Sequence, residues 1–319
     1  MCPQFVDFDA DGYTDIVTAT FEGTAFLVRG SAAGWQEPQH ITDAQGRNLV
    51  LSLFYDTENN AYDNADRSPE GVTNPADHCV SAMAMDWDDD GDFDMLLGAK
   101  EGRLYLRENA GEPGAPAFVG TNRQLLAGGE PFEVPGGLTA PRLVDWDGDG
   151  VEDLVCGSFA GGVYFYRNAG VKGIPAFEAP VTLIAVPENT HDGPKAPTSG
   201  VYADPVDYDN DGDLDLLVGG YAEWDPEAPQ LTDEQRARLE ELDAQVLALQ
   251  EEMSAVSDRA QQAADEAETP EAAQAAMDAV FQSDETRAVH ERWQQVFEEI
   301  STLRPQRQRE AGVWLYRRR

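Results

Sequence analysis

DWDGDGVED runs from Asp145 to Asp153, and its pattern, Asp-x-Asp-x-Asp-Gly-x-x-Asp, returns as DFDADGYTD from Asp7, DWDDDGDFD from Asp86 and DYDNDGDLD from Asp207. Alternating carboxylates, a glycine at the sixth position and a carboxylate at the ninth describe a loop able to wrap a hard cation in oxygens. Ca²⁺ takes about six to eight oxygen ligands at roughly 2.3–2.6 Å in flexible geometry. Without a cation each loop crowds four negative charges together. A single acidic turn is more often merely solvated. Sixteen aspartates in one register over four copies separate these loops from that reading.

The ligands follow position by position. The first loop offers the side chains of Asp7, Asp9, Asp11 and Asp15 and the backbone carbonyl of Tyr13. The second offers Asp86, Asp88, Asp90 and Asp94 with the carbonyl of Asp92, and the third Asp145, Asp147, Asp149 and Asp153 with the carbonyl of Val151. The fourth offers Asp207, Asp209, Asp211 and Asp215 with the carbonyl of Asp213. Position seven varies freely, as a position used only through its main chain should. Up to four Ca²⁺ are expected; Mg²⁺ fits less well, because it demands near-octahedral sites and keeps its waters.

The first half of the pattern is shared with the EF-hand, which also needs a bidentate Glu at position twelve and flanking helices. Position twelve is Thr18, Leu97, Cys156 and Val218. The runs after each loop are short and apolar, which predicts buried strands and rules out the EF-hand.

The repeat extends past the loop. An offset of 59 residues lays Leu104-Tyr105-Leu106 over Val163-Tyr164-Phe165, Asn109-Ala110-Gly111 over Asn168-Ala169-Gly170, and Pro116-Ala117-Phe118 over Pro175-Ala176-Phe177. Each unit reads as a strand into the loop, a strand out of it, an alternating strand, and a final extended Pro-Ala-Phe segment. Four strands in roughly 60 residues, repeated, is the pattern of a propeller blade, and stacked neighbours must supply its core.

The unit resembles the FG-GAP or VCBS-type repeat, the calcium-loop blade of integrin-α-like β-propellers. The resemblance rests on the four loops, on the Leu96-Leu97-Gly98 and Leu216-Leu217-Val218-Gly219 runs, and on the Gly-x-x-Tyr-x-x-x-Asn strands; it covers about 230 of the 319 residues. It implies a calcium-stabilised interaction platform without catalysis of its own. Four repeats are visible where such propellers carry six to eight blades, so the chain reads as part of a larger propeller, with an incomplete start, rather than as a closed four-bladed ring.

The fourth unit is interrupted. Gly157 lies five residues before Gly162, but Gly219 lies 93 before its counterpart Gly312, an insertion of 88 residues rich in Ala, Glu, Gln and Arg. Leu239, Leu242, Val246, Leu249, Met253, Val256, Ala260 and Ala263 step by three and four, as do Val289, Trp293, Val296, Ile300 and Leu303. These are heptad seams, and Thr232 with Gln235 forms a capping box at the start. Because the insertion leaves and re-enters adjacent strands, an antiparallel coiled-coil hairpin of two segments of about 35 residues is expected, as a spacer or docking arm. The expected division is propeller repeats over 1–225, the helical hairpin over 226–310 and a returning strand over 311–319. A further long loop around Phe54 to Pro75 carries Asp56, Glu58, Asp63, Asp66 and Glu70, either solvated or touching a ligand.

Sixty acidic against 22 basic residues give a net charge of −38, and four Ca²⁺ would leave about −30. Nucleic acid and anionic membranes are poor partners for such a field. Cys2, Cys79 and Cys156 define no disulfide framework, and no run is apolar enough to insert in a membrane. No signal peptide precedes the first repeat, yet weak calcium loops suit millimolar calcium, so an extracellular or cell-surface setting is expected. His40, His78, His191 and His290 fall in no metal or nucleophile motif. The leading expectation is a binding module for protein or glycan. The alternative is the propeller domain of a secreted polysaccharide-active enzyme of lyase or dehydratase type.

Overall fold

Each acidic loop is the turn of a β-hairpin. The computed structural model describes residues 3–57, 59–64, 77–138, 140–186, 196–267 and 269–318. The protein is mainly β, with several antiparallel sheets and three helices. It divides into two units: the larger runs to Glu223 and resumes at Arg309, and Trp224–Gln308 form the smaller.

In the larger unit the first sheet is β1 (Gln4–Val6), β2 (Asp15–Ala19), β3 (Ala25–Val28) and β4 (Gln39–His40) in sequential order. A hairpin of β5 (Leu53–Asp56) and β6 (Ala61–Asn64) follows. It falls within the long acidic loop, of which Glu58, Asp66 and Glu70 lie outside the described residues. The second sheet pairs β7 (Cys79–Met85), β8 (Asp94–Ala99), β9 (Leu104–Arg107) and β10 (Arg123–Gln124). After a two-stranded ribbon, β11 (Leu126–Ala127) and β12 (Glu130–Pro131), the third sheet pairs β13 (Ala140–Val144), β14 (Asp153–Gly157), β15 (Val163–Tyr166) and β16 (Val181–Ile184). The fourth has three strands: β17 (Ser199–Val206), β18 (Asp215–Trp224) and β19 (Gln308–Tyr316). The insertion therefore does leave and re-enter neighbouring strands.

Strand alternation explains the stacking. Side chains of a strand point alternately to its two faces, and the inner sheets are buried on both. Met95 and Leu97 of β8 join a core with Val17, Ala19, Ala25 and Leu27, while Leu96 joins one with Leu154 and Cys156. Val155 then packs with Val201, Leu216 and Val218. Three sheet-to-sheet cores result. Fully buried Arg107 adds a polar tie between the first two sheets' connections, donating to Val50 O at 3.0 Å, Val119 O at 3.2 Å and Asn122 Oδ1 at 2.8 Å. Asp77, also buried, accepts from Arg103 at 2.6 Å and from the Tyr105 hydroxyl.

One sequence expectation is corrected here. The Pro-Ala-Phe segments are not the fourth strands; β10 and β16 lie beyond them. Phe118 forms only isolated bridges, to Asn109 and Asp43, and Phe177 likewise to Asn168 and Ala127, and both rings are buried in the cores between sheets. Burying a phenyl ring contributes about 1.5–3 kcal/mol, and a proline two residues earlier cannot donate to a ladder.

The smaller unit holds α1 (Asp233–Asp265), α2 (Pro270–Phe281) and α3 (Asp284–Leu303). The capping box forms as read: Thr232 Oγ1 accepts from Gln235 N at 3.2 Å, and Gln235 Oε1 from Thr232 N at 2.9 Å. The second seam segment is two helices rather than one. Ser283 starts α3 as an N-cap, accepting from Thr286 N at 3.2 Å, and Thr286 Oγ1 closes back onto Val280 O at 2.8 Å. Seam residues Leu242 and Leu249 pack with Val289, Val296 and Ile300. The ion pairs Arg238–Glu299, Arg292–Glu252 and Arg259–Glu285 run in opposite senses along α1 and α3, so the two helices are antiparallel, and Arg304, the C-cap of α3, pairs with Asp243. Among the described residues no helix is long and apolar enough to cross a membrane.

Candidate metal centres

Every loop is turned by its own aspartates. The position-one carboxylate accepts from the backbone N–H of the glycine at position six: Asp7 from Gly12 at 3.0 Å, Asp86 from Gly91 at 3.3 Å, Asp145 from Gly150 at 3.0 Å and Asp207 from Gly212 at 3.2 Å. The position-five carboxylate accepts from the position-seven N–H, in Asp11, Asp90, Asp149 and Asp211 alike. Position six has φ between +89° and +96°, where only glycine is at ease. Position four is left-handed too, a feature the sequence reading missed: Ala10 at 56°, Asp89 at 62°, Gly148 at 77° and Asn210 at 57°. Aspartate, glycine and asparagine tolerate that region; Ala10 does so at a cost of about 1–2 kcal/mol.

Position nine has a second job. Asp15 Oδ1 accepts from Gly30 N, Asp94 Oδ1 from Asn109 N and Asp153 Oδ1 from Asn168 N, each at 2.7 Å, and Asp215 Oδ1 from Arg318 N at 2.9 Å. The other oxygen of Asp15, Asp94 and Asp153 accepts from the position-two N–H of its own loop, on Phe8, Trp87 and Trp146. These four carboxylates are buried. They clamp the loop to the end of the third strand. Asn168 extends the clamp, accepting from Gly170 N and Ala176 N and donating to Glu152 O; Asn109 does the same with Gly111, Ala117 and Phe93. This is the physical content of the Asn-Ala-Gly repeat.

The structure brings three carboxylates of each loop together, with one oxygen from each within 4.8 Å of the others: Asp7, Asp9 and Asp15; Asp86, Asp88 and Asp90; Asp145, Asp147 and Asp153; Asp207, Asp209 and Asp211. Asp11 and Asp149 stand outside their groups in the first and third loops, as Asp94 and Asp215 do in the second and fourth. Each loop also holds one buried carboxylate oxygen with no hydrogen-bond partner: Asp9 Oδ1, Asp92 Oδ2, Asp145 Oδ1 and Asp215 Oδ2. An anionic oxygen shielded from water and left unpaired costs several kcal/mol. A divalent cation with oxygen preference fits this donor set and removes that cost.

The electrostatics agree. Burial, with repulsion from Asp88 and Asp92 and against two backbone N–H bonds, pushes Asp94 up to about 6. Burial raises Asp92 as well, helped by Asp90 and Asp88, and it raises Asp153. A base leans on each loop: Arg29 on Asp9 at 2.9 Å, Lys172 on Asp89, Arg167 on Asp147 at 2.6 Å and Asp149 at 2.9 Å, and Arg317 on Asp209 at 3.2 Å. The hydrogen bond from Arg167 holds Asp147 below the usual carboxylate range.

Loop order is transmitted to the next sheet. Phe8 at position two stacks on Phe93 and Phe118 with centroids 6.0 and 6.5 Å apart, and Trp87 meets Phe177 at 6.3 Å. Gly114 and Gly173 press against the Asp9 and Asp88 carbonyls, where an added Cβ would sit 2.7 Å from each oxygen. Gly173→Ala is therefore expected to lose about 2–5 kcal/mol in a urea melt, about 1–3 kcal/mol from overpacking on top of the cost of its own left-handed backbone. Gly129→Ala, at similar φ but facing open space, is expected to lose only the cost of the left-handed backbone, about 1–2 kcal/mol; equal losses would show that the contact is unimportant.

The remaining candidates do not assemble into a site. His78 contacts the Phe21 carbonyl through Nε2, His40 stacks on Phe26, and His290 contacts the Thr286 carbonyl; His191 lies outside the described residues. Cys79 and Cys156 are buried, and burial pushes the Cys79 thiol up to about 12.

Residues 145–218, from the first aspartate of the third loop into β18, match the model of the FG-GAP-like repeat family. The chain thus carries an FG-GAP-like repeat within a mainly-β fold of stacked antiparallel sheets. No curated protein matches the chain.

Proposed function

We propose that the chain is a calcium-stabilised interaction module of the β-propeller kind, holding up to four Ca²⁺. The observation that carries this is the convergence of three carboxylates in every loop, joined in the first, third and fourth by a buried oxygen of a proposed ligand, on Asp9, Asp145 and Asp215, that nothing else satisfies. Asp7, Asp9, Asp11 and Asp15 would hold the first ion, with the Tyr13 carbonyl. Asp86, Asp88, Asp90, Asp94 and the Asp92 carbonyl would hold the second. Asp145, Asp147, Asp149, Asp153 and the Val151 carbonyl serve the third, and Asp207, Asp209, Asp211, Asp215 and the Asp213 carbonyl the fourth. The ion's chemistry is structural: it neutralises each cage and stiffens a loop whose aromatic residue and carbonyl brace the next sheet.

The setting proposed is outside the cell or at its surface, where calcium is millimolar and extracellular calcium modules bind with Kd on the order of 10⁻⁴–10⁻³ M. Its partner would be a protein or glycan, and the helical insertion, as a coiled-coil hairpin, would serve as spacer or docking arm. Catalysis is assigned to no residue, because the acidic groups that could support it already belong to the cages. Titration calorimetry on calcium-free protein tests this reading. Saturable heat is expected with Ca²⁺, approaching four ions per chain, and a weaker response with Mg²⁺. Absence of saturable heat up to 10 mM Ca²⁺, roughly ten times the weak end of the expected range, would refute it.

A further inference from the structure

The residue before each clamp residue stands beside its own loop. Gly30, Asn109, Asn168 and Arg318 give their backbone N–H to the position-nine carboxylate, so Arg29, Glu108, Arg167 and Arg317 share one repeat position. Three of the four are arginines, and they act alike. Arg29 Nε meets Asp9 Oδ2 at 2.9 Å, Arg167 Nε meets Asp147 Oδ2 at 2.6 Å, and Arg317 Nη1 meets Asp209 Oδ2 at 3.2 Å. Arg167 also reaches Asp149, at 2.9 Å. Asp9, Asp147 and Asp209 stand at position three, and position three belongs to the converging trio in all four loops. A guanidinium thus already holds one oxygen of a carboxylate that the cage uses.

The second loop breaks the pattern. Glu108 stands where the others have arginine, and it pairs with Arg123 at 3.0 Å. Among the described residues no base pairs with Asp88, the position-three carboxylate; Lys172 sits on Asp89 at position four, outside the trio. This loop is also the most acidic. It has six carboxylates between Asp86 and Asp94, against four, five and five in the first, third and fourth loops. Calcium affinity is tuned by the charge assembled around the ion, and a fixed guanidinium nearby opposes a dication.

We propose that the four cages are unequal: the second fills first, and Arg29, Arg167 and Arg317 hold the other three at weaker affinity. The inference rests on the calcium reading above and adds to it an order of filling and the residues that set it. One positive charge about 7 Å from a dication weakens its binding by about three- to tenfold in water, less as salt rises. The module then carries one ion held at low calcium and three that respond as calcium rises.

Calcium titration calorimetry of the full chain, in about 0.1 M salt, tests this. Two classes are expected, with one ion per chain bound about tenfold tighter than the rest. Asp88→Asn should abolish the tight class, and Asp147→Asn, in the third loop, should leave it. Arg167→Gln alters a half-exposed side chain and should tighten one of the weaker sites by about three- to tenfold. Glu108→Arg should weaken the tight site by about tenfold. Circular dichroism checks that each variant keeps its fold. Four equivalent sites, a tight site lost with Asp147→Asn instead of Asp88→Asn, or affinities unmoved by Arg167→Gln and Glu108→Arg would each overturn the order of filling while the calcium reading stands. Absence of saturable heat in all the proteins would overturn both.

Discussion

Chelating calcium is expected to lower the melting temperature of the sheet unit by on the order of 10 °C. At 1 mM Ca²⁺ and a Kd near 10⁻⁴ M, each occupied loop contributes about 1.4 kcal/mol. Four loops contribute several kcal/mol, and for a unit of this size each kcal/mol moves the midpoint by about 2–4 °C. The cost of the empty state is visible in the cages, where carboxylates converge in every loop and a ligand oxygen is buried unpaired in the first, third and fourth. Scanning calorimetry in calcium and in EDTA measures the difference. The helical unit carries no acidic loop, so a transition belonging to it should stay in place. An identical thermogram in both buffers would show that the cages are merely acidic turns.

The second large effect separates clamp from cage. Asp153→Ala removes the acceptor of two backbone donors, Asn168 N at 2.7 Å and Trp146 N at 3.1 Å, inside a buried site. Each stranded donor costs about 1–3 kcal/mol, so a loss of about 2–6 kcal/mol is expected in EDTA, and in calcium up to about 1.4 kcal/mol more, because Asp153 is also a proposed ligand. Asp149→Ala, in the same loop, gives up an exposed turn bond to Val151 N. In EDTA it should lose less than about 1 kcal/mol, and in calcium up to the further 1.4 kcal/mol of one site. Urea denaturation of both variants in both buffers gives the four numbers. Equal losses in EDTA would mean that position nine does not clamp the third strand.

The loops, the buried strands after them, the seam residues and the capping box were legible in the sequence because each is a local, repeating pattern. The strand after the third loop reads Leu-Val-Cys, apolar at every position, which announces burial but not which neighbouring sheet each side chain meets. What the sequence hid is what one strand does to another sheet. Arg107 aligns with Tyr166 and nothing around it announces burial; only the carbonyls of Val50 and Val119, brought from distant segments, make an arginine stable there. Phe118 looked like strand because it follows an alternating run, yet its ring is worth more in the core than its amide in a ladder. No motif in the sequence marks Gly114 or Gly173; their use is to let a neighbouring loop's carbonyl approach. The break between α2 and α3 hangs on Ser283 and Thr286, a cap embedded in a helical pattern that propensity alone carries straight through.

A crystal grown in millimolar Ca²⁺, with anomalous differences collected near the calcium-sensitive wavelength range, tests the cages most directly. Four peaks are expected, one inside each aspartate group, with the oxygens of Asp9, Asp145 and Asp215 that are unpaired here turned onto an ion. Cages holding only ordered water at that concentration, with their aspartates turned out to solvent, would contradict calcium as the element that ties each sheet to the next.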